Sequence, residues 1–178
     1  MLVLSPLFFV LAVWIKCDSK GPVFYRQVRV GRNNRDFRLY KFRSMRVGSD
    51  KKGLITIGGH DPRVTRSGYY IRRYKLDELP QLINVFAGNM SLVGPRPEVR
   101  KYVDLYTPEQ MHVLDVRPGI TDLASIRYRN ENELLEQADD PDRYYVDVIM
   151  QDKLRINLEY VADHSFLKDI KLIGMTFR

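Results

Sequence analysis

Two adjacent carboxylates, Asp77 and Glu78, stand one residue into the run LDELPQLINVFAGNMSLVGPRPE, residues 76–98. Adjacent acids of this kind can hold a divalent cation, and one of them can attack phosphorus. Leu79, Leu82, Ile83 and Phe86 follow at spacings of three, four and seven, which predicts a helix with one apolar stripe. Asp77 is placed to cap that helix, Pro80 lies in its first turn and Gly88 is placed to end it. At the positive end of a helix dipole an ionised carboxylate is favoured, so Asp77 is expected to be charged at neutral pH. Beyond the helix, Pro95-Arg96-Pro97 sets one arginine between two residues of fixed φ, a geometry suited to bidentate binding of phosphate. Acid pair and arginine together make a candidate diphosphate site. On spacing alone the alternative stands beside it: acids that cap a helix, with the arginine pairing to one of them.

The elements that would position these groups can be read on either side. The chain has 178 residues, enough for one domain with its own core, and a net charge of +7. That balance calls for an anionic partner: nucleic acid, an anionic membrane face, or a phosphate-rich substrate. No recognition helix or aromatic RNA-binding signature gathers the basic residues, so nucleic acid is not the expected partner. Cys17 is the one cysteine, which excludes an internal disulfide. The histidines His60, His112 and His164 are scattered without ligand spacing.

Residues 23–30 and 37–45 read as two strands joined by the polar turn 31–35. Arg26, Arg29, Arg38, Lys41, Arg43 and Arg46 make this hairpin basic, and a solvated strand face accounts for most of that charge. Residues 47–59 read as a glycine-rich mobile loop, 67–74 as a basic helix and 98–106 as a helix. Another helix is expected from Thr107-Pro108, a strand over 120–126, and helices over 131–151, 153–161 and 166–177. The last carries apolar residues among Lys168, Lys171 and Arg178, a pattern that suits a membrane interface or a core-facing helix. At the front, residues 2–15 are apolar apart from Ser5 and Pro6. As a helix they reach about 21 Å, short of the roughly 30 Å hydrocarbon core, and Pro6 is expected to break even that length.

The long run resembles the signature of the bacterial sugar transferases, the monotopic polyprenol-phosphate phosphoglycosyl transferases. Ser5-Pro6, Gly21-Pro22-Val23-Phe24, Tyr40-Lys41-Phe42-Arg43-Ser44-Met45, Asp61-Pro62-Arg63-Val64-Thr65 and Arg117-Pro118-Gly119-Ile120-Thr121 are similar to further blocks of that family, in its order. The resemblance implies an α+β fold: a small, mostly helical, membrane-associated domain with a β-hairpin, an N-terminal re-entrant helix and interfacial amphipathic helices. Residues 1–17 would be the membrane-inserted segment, without the basic-led first half that relatives carry, and residues 18–178 the catalytic domain. It implies transfer of a phospho-sugar from a nucleoside diphosphate sugar, usually a UDP-sugar, to undecaprenyl phosphate or another polyprenol phosphate, with release of UMP. This is the first membrane step in making a glycoconjugate, capsule or exopolysaccharide. By the same resemblance Asp77 attacks and forms an aspartyl phospho-sugar, Asp77 and Glu78 hold Mg²⁺, and Lys41, Arg43, Arg96 and Arg117 bind substrate. Membrane lipids would be partners, a homodimer is compatible, and the cytoplasmic face of the bacterial inner membrane would be the location. Where the family often reads Gly-Trp-Ala-Gln this chain has Asp122-Leu123-Ala124-Ser125, and at Asn157 many relatives have aspartate. Two other classes compete: a basic surface-binding module without chemistry, and a soluble metal-dependent phosphatase.

Overall fold

The computed structural model describes residues 4–49 and 61–176. The chain mixes helices with small sheets, an α+β arrangement built on two apolar clusters.

The first cluster joins the front helix to the hairpin. Helix α1 (Ser5–Asp18) buries Leu11 and Ile15 against Phe42 and Ile71, with Phe8 edge-on to Phe42 at 5.0 Å between ring centroids. Pro6 falls in the first turn of α1, where its missing N–H costs nothing, so the expected break does not occur within the described residues. The outer face of α1 presents Phe9, Val10 and Val13 to solvent. Among the described residues no helix is long and apolar enough to cross a membrane.

Strands β1 (Phe24–Val30) and β2 (Asp36–Phe42) pair antiparallel, from Phe24 opposite Phe42 to Val30 opposite Asp36. Asn33 and Asn34, both at positive φ, make the turn between them, a conformation asparagine tolerates better than most residues. Helix α2 (Arg66–Arg73) is capped by Thr65, whose hydroxyl accepts from the Gly68 amide at 3.0 Å. Asp18, at the end of α1, accepts from the Ser67 amide and hydroxyl at 2.9 and 2.8 Å, which ties the two helices end to end. Helix α3 (Gln81–Phe86) lies along the free edge of β2. Its buried Asn84 accepts from the Tyr40 amide at 3.0 Å and donates to the Arg38 carbonyl at 2.8 Å, so its amide replaces a third strand.

The second cluster closes the other side. Helix α4 (Arg100–Val103), a 3₁₀ turn over Gln110–Asp115 and helix α8 (Met150–Ala162) bury Val99, Tyr102, Val113, Ile149 and Leu154 together. Thr107 and Gln110 bond each other's backbone amides reciprocally and start that 3₁₀ turn. Between the clusters, β3 (Ser91–Val93) and β4 (Gly119–Thr121) form a short parallel ladder. The expected strand over 120–126 stops at Thr121, because buried Asp122 caps helix α5 (Leu123–Arg127) by accepting from the Ser125 amide at 2.7 Å. Helices α6 (Glu131–Glu136) and α7 (Pro141–Tyr144) follow; α7 runs through a π turn (Tyr145–Ile149) into α8, and α9 (Phe166–Thr176) ends the described chain. The loop expected at 47–59 lies, from residue 50 onward, outside the described residues.

Replacing Asn84 by alanine leaves the Tyr40 amide and the Arg38 carbonyl without this partner. We expect a loss of roughly 2–4 kcal/mol in urea unfolding. A change under about 0.5 kcal/mol would show that water, not Asn84, serves the edge of β2.

Candidate active site

Residues Leu76–Glu78 form a 3₁₀ turn after Lys75, which sits in the left-handed region at φ 56°. Leu76 and Leu79 pack into the cluster around Phe42 and Ile71. With those two turned inward, Asp77 and Glu78 line a cleft of about 1210 Å³. Helix α3 begins only at Gln81, with Pro80 ahead of it, and Asp77 makes no capping bond. The expected N-cap role of Asp77 is therefore replaced by a place in the preceding turn.

Glu78 is the hub of the site. Arg96 grips its carboxylate with both terminal nitrogens, Nη1 donating to Oε2 at 3.2 Å and Nη2 to Oε1, and Lys41 Nζ donates to Oε1 at 3.2 Å. Burial pushes the Glu78 carboxyl up, but Arg96 and Lys41 outweigh it and hold the group far below the usual carboxylate range. Burial pulls Lys41 down against the opposing pull of Glu78, while Glu78 drives Arg96 further up.

Arg96 is fixed by backbone as well as by charge. Gly94 and Gly119 bring the two short strands so close that a Cβ on Gly119 would meet the Gly94 nitrogen at 2.2 Å. Beyond Arg96, Arg29 on β1 donates to the Pro97 carbonyl at 3.0 Å and to Glu98 at 2.9 Å. Tyr145, at the start of the π turn, donates to the other Glu98 oxygen at 2.5 Å. Arg29, Glu98 and Tyr145 are the site's additions to the sequence reading. Strand parity was the available signal, since the register sets Tyr25, Gln27 and Arg29 on the sheet face that carries Lys41.

Two candidate residues are placed differently: Arg43 lines the cleft with its donors turned to the end of α1, and Arg117 lies outside it. Arg43 is buried, and its guanidinium donates to the Pro22 carbonyl at 2.6 Å, the Ser19 hydroxyl at 2.6 Å and the Ser19 carbonyl at 2.8 Å. It closes the C-terminal end of α1, so its expected role at substrate phosphates gives way to a structural one. Arg117 is exposed and outside the cleft; its carbonyl, not its guanidinium, packs against Gly94.

Asp77 is buried, and no described residue donates a hydrogen bond to its carboxylate. Burial pushes its carboxyl above the usual range, with Lys41 pulling the other way. The expectation of an aspartate made acidic by a helix dipole is thus reversed. For a divalent cation, Glu78 is already committed to two cations, and among the described residues no three His, Cys, Asp or Glu side chains gather as a cage. Of this acid pair, Asp77 is the one whose carboxylate has no hydrogen-bond donor among the described residues. One carboxylate completed by phosphate oxygens is a donor set that Mg²⁺ accepts and zinc does not favour.

Known proteins can be set against this geometry. The sequence profile of the bacterial sugar transferases matches residues 1–178. The chain belongs to that family. It is 41% identical over 177 residues to the UDP-N-acetylgalactosamine-undecaprenyl-phosphate N-acetylgalactosaminephosphotransferase of Aeromonas hydrophila, covering 98% of this chain and 39% of the relative. It is 37% identical over 180 residues to the UDP-glucose:undecaprenyl-phosphate glucose-1-phosphate transferase of Escherichia coli K12, covering 99% and 36%. The sugar transferase EpsL of Bacillus subtilis is 38% identical over 172 residues, covering 97% and 75%. The chain thus spans well under half of the first two relatives.

A raised carboxyl pKa means that the folded protein holds the Asp77 proton more tightly than the unfolded chain does. Its burial therefore costs stability progressively as pH rises from the ordinary aspartate value through the raised one. Asp77→Asn removes that cost. Its melting temperature should exceed that of the parent at pH 8, and the difference should shrink toward pH 4. An asparagine variant that is less stable at pH 8 would sink this reading of the site.

Proposed function

We propose that this chain transfers a sugar phosphate from a UDP-sugar to undecaprenyl phosphate through a covalent intermediate on Asp77. The observation that carries the reading is the free, buried Asp77 carboxylate beside Lys41 and Arg96, both held on Glu78. The names of the Aeromonas hydrophila and Escherichia coli relatives agree on undecaprenyl phosphate as acceptor and differ in the sugar, so the acceptor carries over and the sugar is left to experiment.

In the first step an Asp77 oxygen attacks the phosphorus that bears the sugar. An oxygen–phosphorus bond forms, the bond from that phosphorus to the bridging oxygen breaks, and UMP leaves with the electron pair. An oxygen of undecaprenyl phosphate then attacks the same phosphorus, displaces the Asp77 carboxylate and yields the diphosphate-linked sugar. Two anions must approach in each step, so charge compensation is the main demand. Lys41 has ammonium protons beyond the one given to Glu78, and Arg96 retains donors beyond its grip on that carboxylate. Both can reach phosphate oxygens without surrendering Glu78, which orients them. Asp77 would hold Mg²⁺ together with the substrate's phosphates; when bound, the ion supplies further charge neutralisation of the diphosphate.

We place the protein at the cytoplasmic face of the inner membrane, where a nucleotide sugar meets a lipid phosphate. Two features support this placement: the outward Phe9, Val10 and Val13 of α1, and the outward Phe166, Leu167 and Ile170 of α9 beside the exposed Lys171.

A nucleotide-release assay across UDP-sugars, with and without undecaprenyl phosphate, tests the reaction. UMP should appear with at least one sugar, and turnover should require the lipid phosphate. Asp77→Asn should abolish both turnover and any adduct of phospho-sugar mass on the protein. An adduct on the asparagine variant would move the nucleophile elsewhere. Arg96→Lys keeps the charge but loses the two-pronged grip on Glu78, and we expect at least about a tenfold fall in kcat/KM. A lysine variant with near-parental activity would reduce Arg96 to a general electrostatic contact.

A further inference from the structure

The cleft has a second set of lining side chains, its second lobe, that the phosphoryl chemistry leaves unused. It comprises Tyr128, Glu131, Asn132, Tyr145 and Lys153, and Glu98 links it to the hairpin by accepting from both Tyr145 and Arg29. Lys153, on α8, pairs with Glu131 Oε2 and lies over the rings of Tyr128 and Tyr145 at 5.7 and 5.8 Å. The two tyrosine hydroxyls have their protons committed, Tyr128 donating to Asp152 at 2.9 Å and Tyr145 to Glu98 at 2.5 Å. What this lobe still offers is the second Glu131 oxygen, the remaining Lys153 protons and the Asn132 amide, none of which has a partner among the described residues.

The charge balance here differs from that at Glu78, where Lys41 and Arg96 share one carboxylate. Each carboxylate lining it has a cation beside it, Glu98 having Arg29 and Glu131 having Lys153, and the Arg129 guanidinium on the same wall donates to the Met175 carbonyl at 3.4 Å. A further phosphate would meet acceptors whose counter-charge is already taken, whereas a neutral ligand meets no such cost. Aromatic walls beside a carboxylate, an ammonium and an amide offer acceptors and donors at close quarters, which is what ring hydroxyls require.

Taking the Proposed function as its base, we propose that this second lobe binds the neutral, polyhydroxylated ring of the nucleotide sugar, with Glu131, Asn132 and Lys153 bonding its hydroxyls while the diphosphate lies against Lys41 and Arg96. That chemistry has two sources in such a ligand, the glycosyl group and the ribose.

The test measures affinities of the full chain by calorimetry, using UDP, 2′-deoxy-UDP and the same UDP-sugars as the release assay, the tightest-binding of which is carried to the variants. Parent, Glu131→Gln and Asn132→Ala are compared; Asn132 is exposed, so its variant tests the lobe even where Glu131→Gln disturbs folding. With the glycosyl group in the lobe, both variants should bind the UDP-sugar about tenfold more weakly and UDP within about twofold of the parent. With the ribose there, UDP should weaken as much as the UDP-sugar and the loss should shrink for 2′-deoxy-UDP; this supports the lobe with the other ring. Unchanged affinity for every ligand in both variants, or equal weakening for UDP and 2′-deoxy-UDP, overturns the proposal. A parent protein that binds the UDP-sugars but releases no UMP overturns the Proposed function and leaves the lobe to be judged by the affinities alone. A parent that binds none of them overturns both.

Discussion

Glu78 holds two cations that would otherwise repel each other. Arg96 comes from a loop between two short strands and Lys41 from a hairpin, and at one carboxylate they meet. Opposite unit charges about 4 Å apart are worth about 4 kcal/mol at the screening typical near a protein surface. Two such attractions on one carboxylate outweigh the cost of burying it, which is why its carboxyl is driven down when burial alone would drive it up. The same contact keeps two positive groups at the mouth of a cleft in the absence of a phosphate. Anion sites face a general difficulty, since cations gathered for a ligand destabilise the protein until the ligand arrives. On the proposed reading, the Glu78 carboxylate stands in for it.

Asp77 pays the opposite electrostatic consequence. It is one residue from Glu78, and Lys41 is the cation it feels most, yet that cation is shared with a stronger acceptor. Burial therefore dominates and the carboxyl is pushed up. Neighbouring carboxylates in one turn thus diverge: Glu78 is held charged by direct contacts, and Asp77 is left without a hydrogen bond from any described residue. A carboxylate that is costly to keep charged gains most from bond formation to phosphorus or from a cation brought with the substrate. On the proposed mechanism its instability and its reactivity share one cause.

Much of this was legible in sequence where local rules act alone. The hairpin follows from alternation and from the Asn-Asn turn, and its observed strands differ from the expected ones by only a few residues at their ends. Helices α1, α2, α8 and α9 fall on stretches read as helical, although Pro6 opens α1 where a break was expected. What was not legible depends on distant partners. The strand expected at 120–126 became a helix because Asp122 is buried where it can cap, a fact that no local pattern contains. Asp77 is not a cap because Leu76 and Leu79 are claimed by a cluster formed with α1 and α2, which tightens the turn and delays α3 to Gln81. The acid pair, Lys41 and Arg96 were found from residue types and from resemblance to a family. Arg43 carried the same two signals and is employed differently. The distinction lies in where the donors go: backbone carbonyls at the end of α1 consume those of Arg43, while Arg96 meets a carboxylate at the cleft.

That distinction extends to how the two halves of the fold are joined. Each apolar cluster packs within its own half, one around Phe42 and Ile71 and the other around Ile149 and Leu154. Across their seam run polar contacts: Arg29 from the hairpin reaches Pro97 and Glu98, and Glu98 is held from the far side by Tyr145. An apolar seam would tolerate sliding, because dispersion and burial vary slowly with small shifts. Hydrogen bonds to a carboxylate do not, since they weaken steeply with angle and distance. Placing such a junction directly after Arg96 ties the position of the guanidinium to the relation between the halves. The π turn fits this account. One extra residue in the helical turn at Tyr145 lets the helix send a hydroxyl to Glu98 while Ile149 and Met150 remain buried in the second cluster. The irregularity in the helix is thus where the core of one half meets the charged site that both halves share.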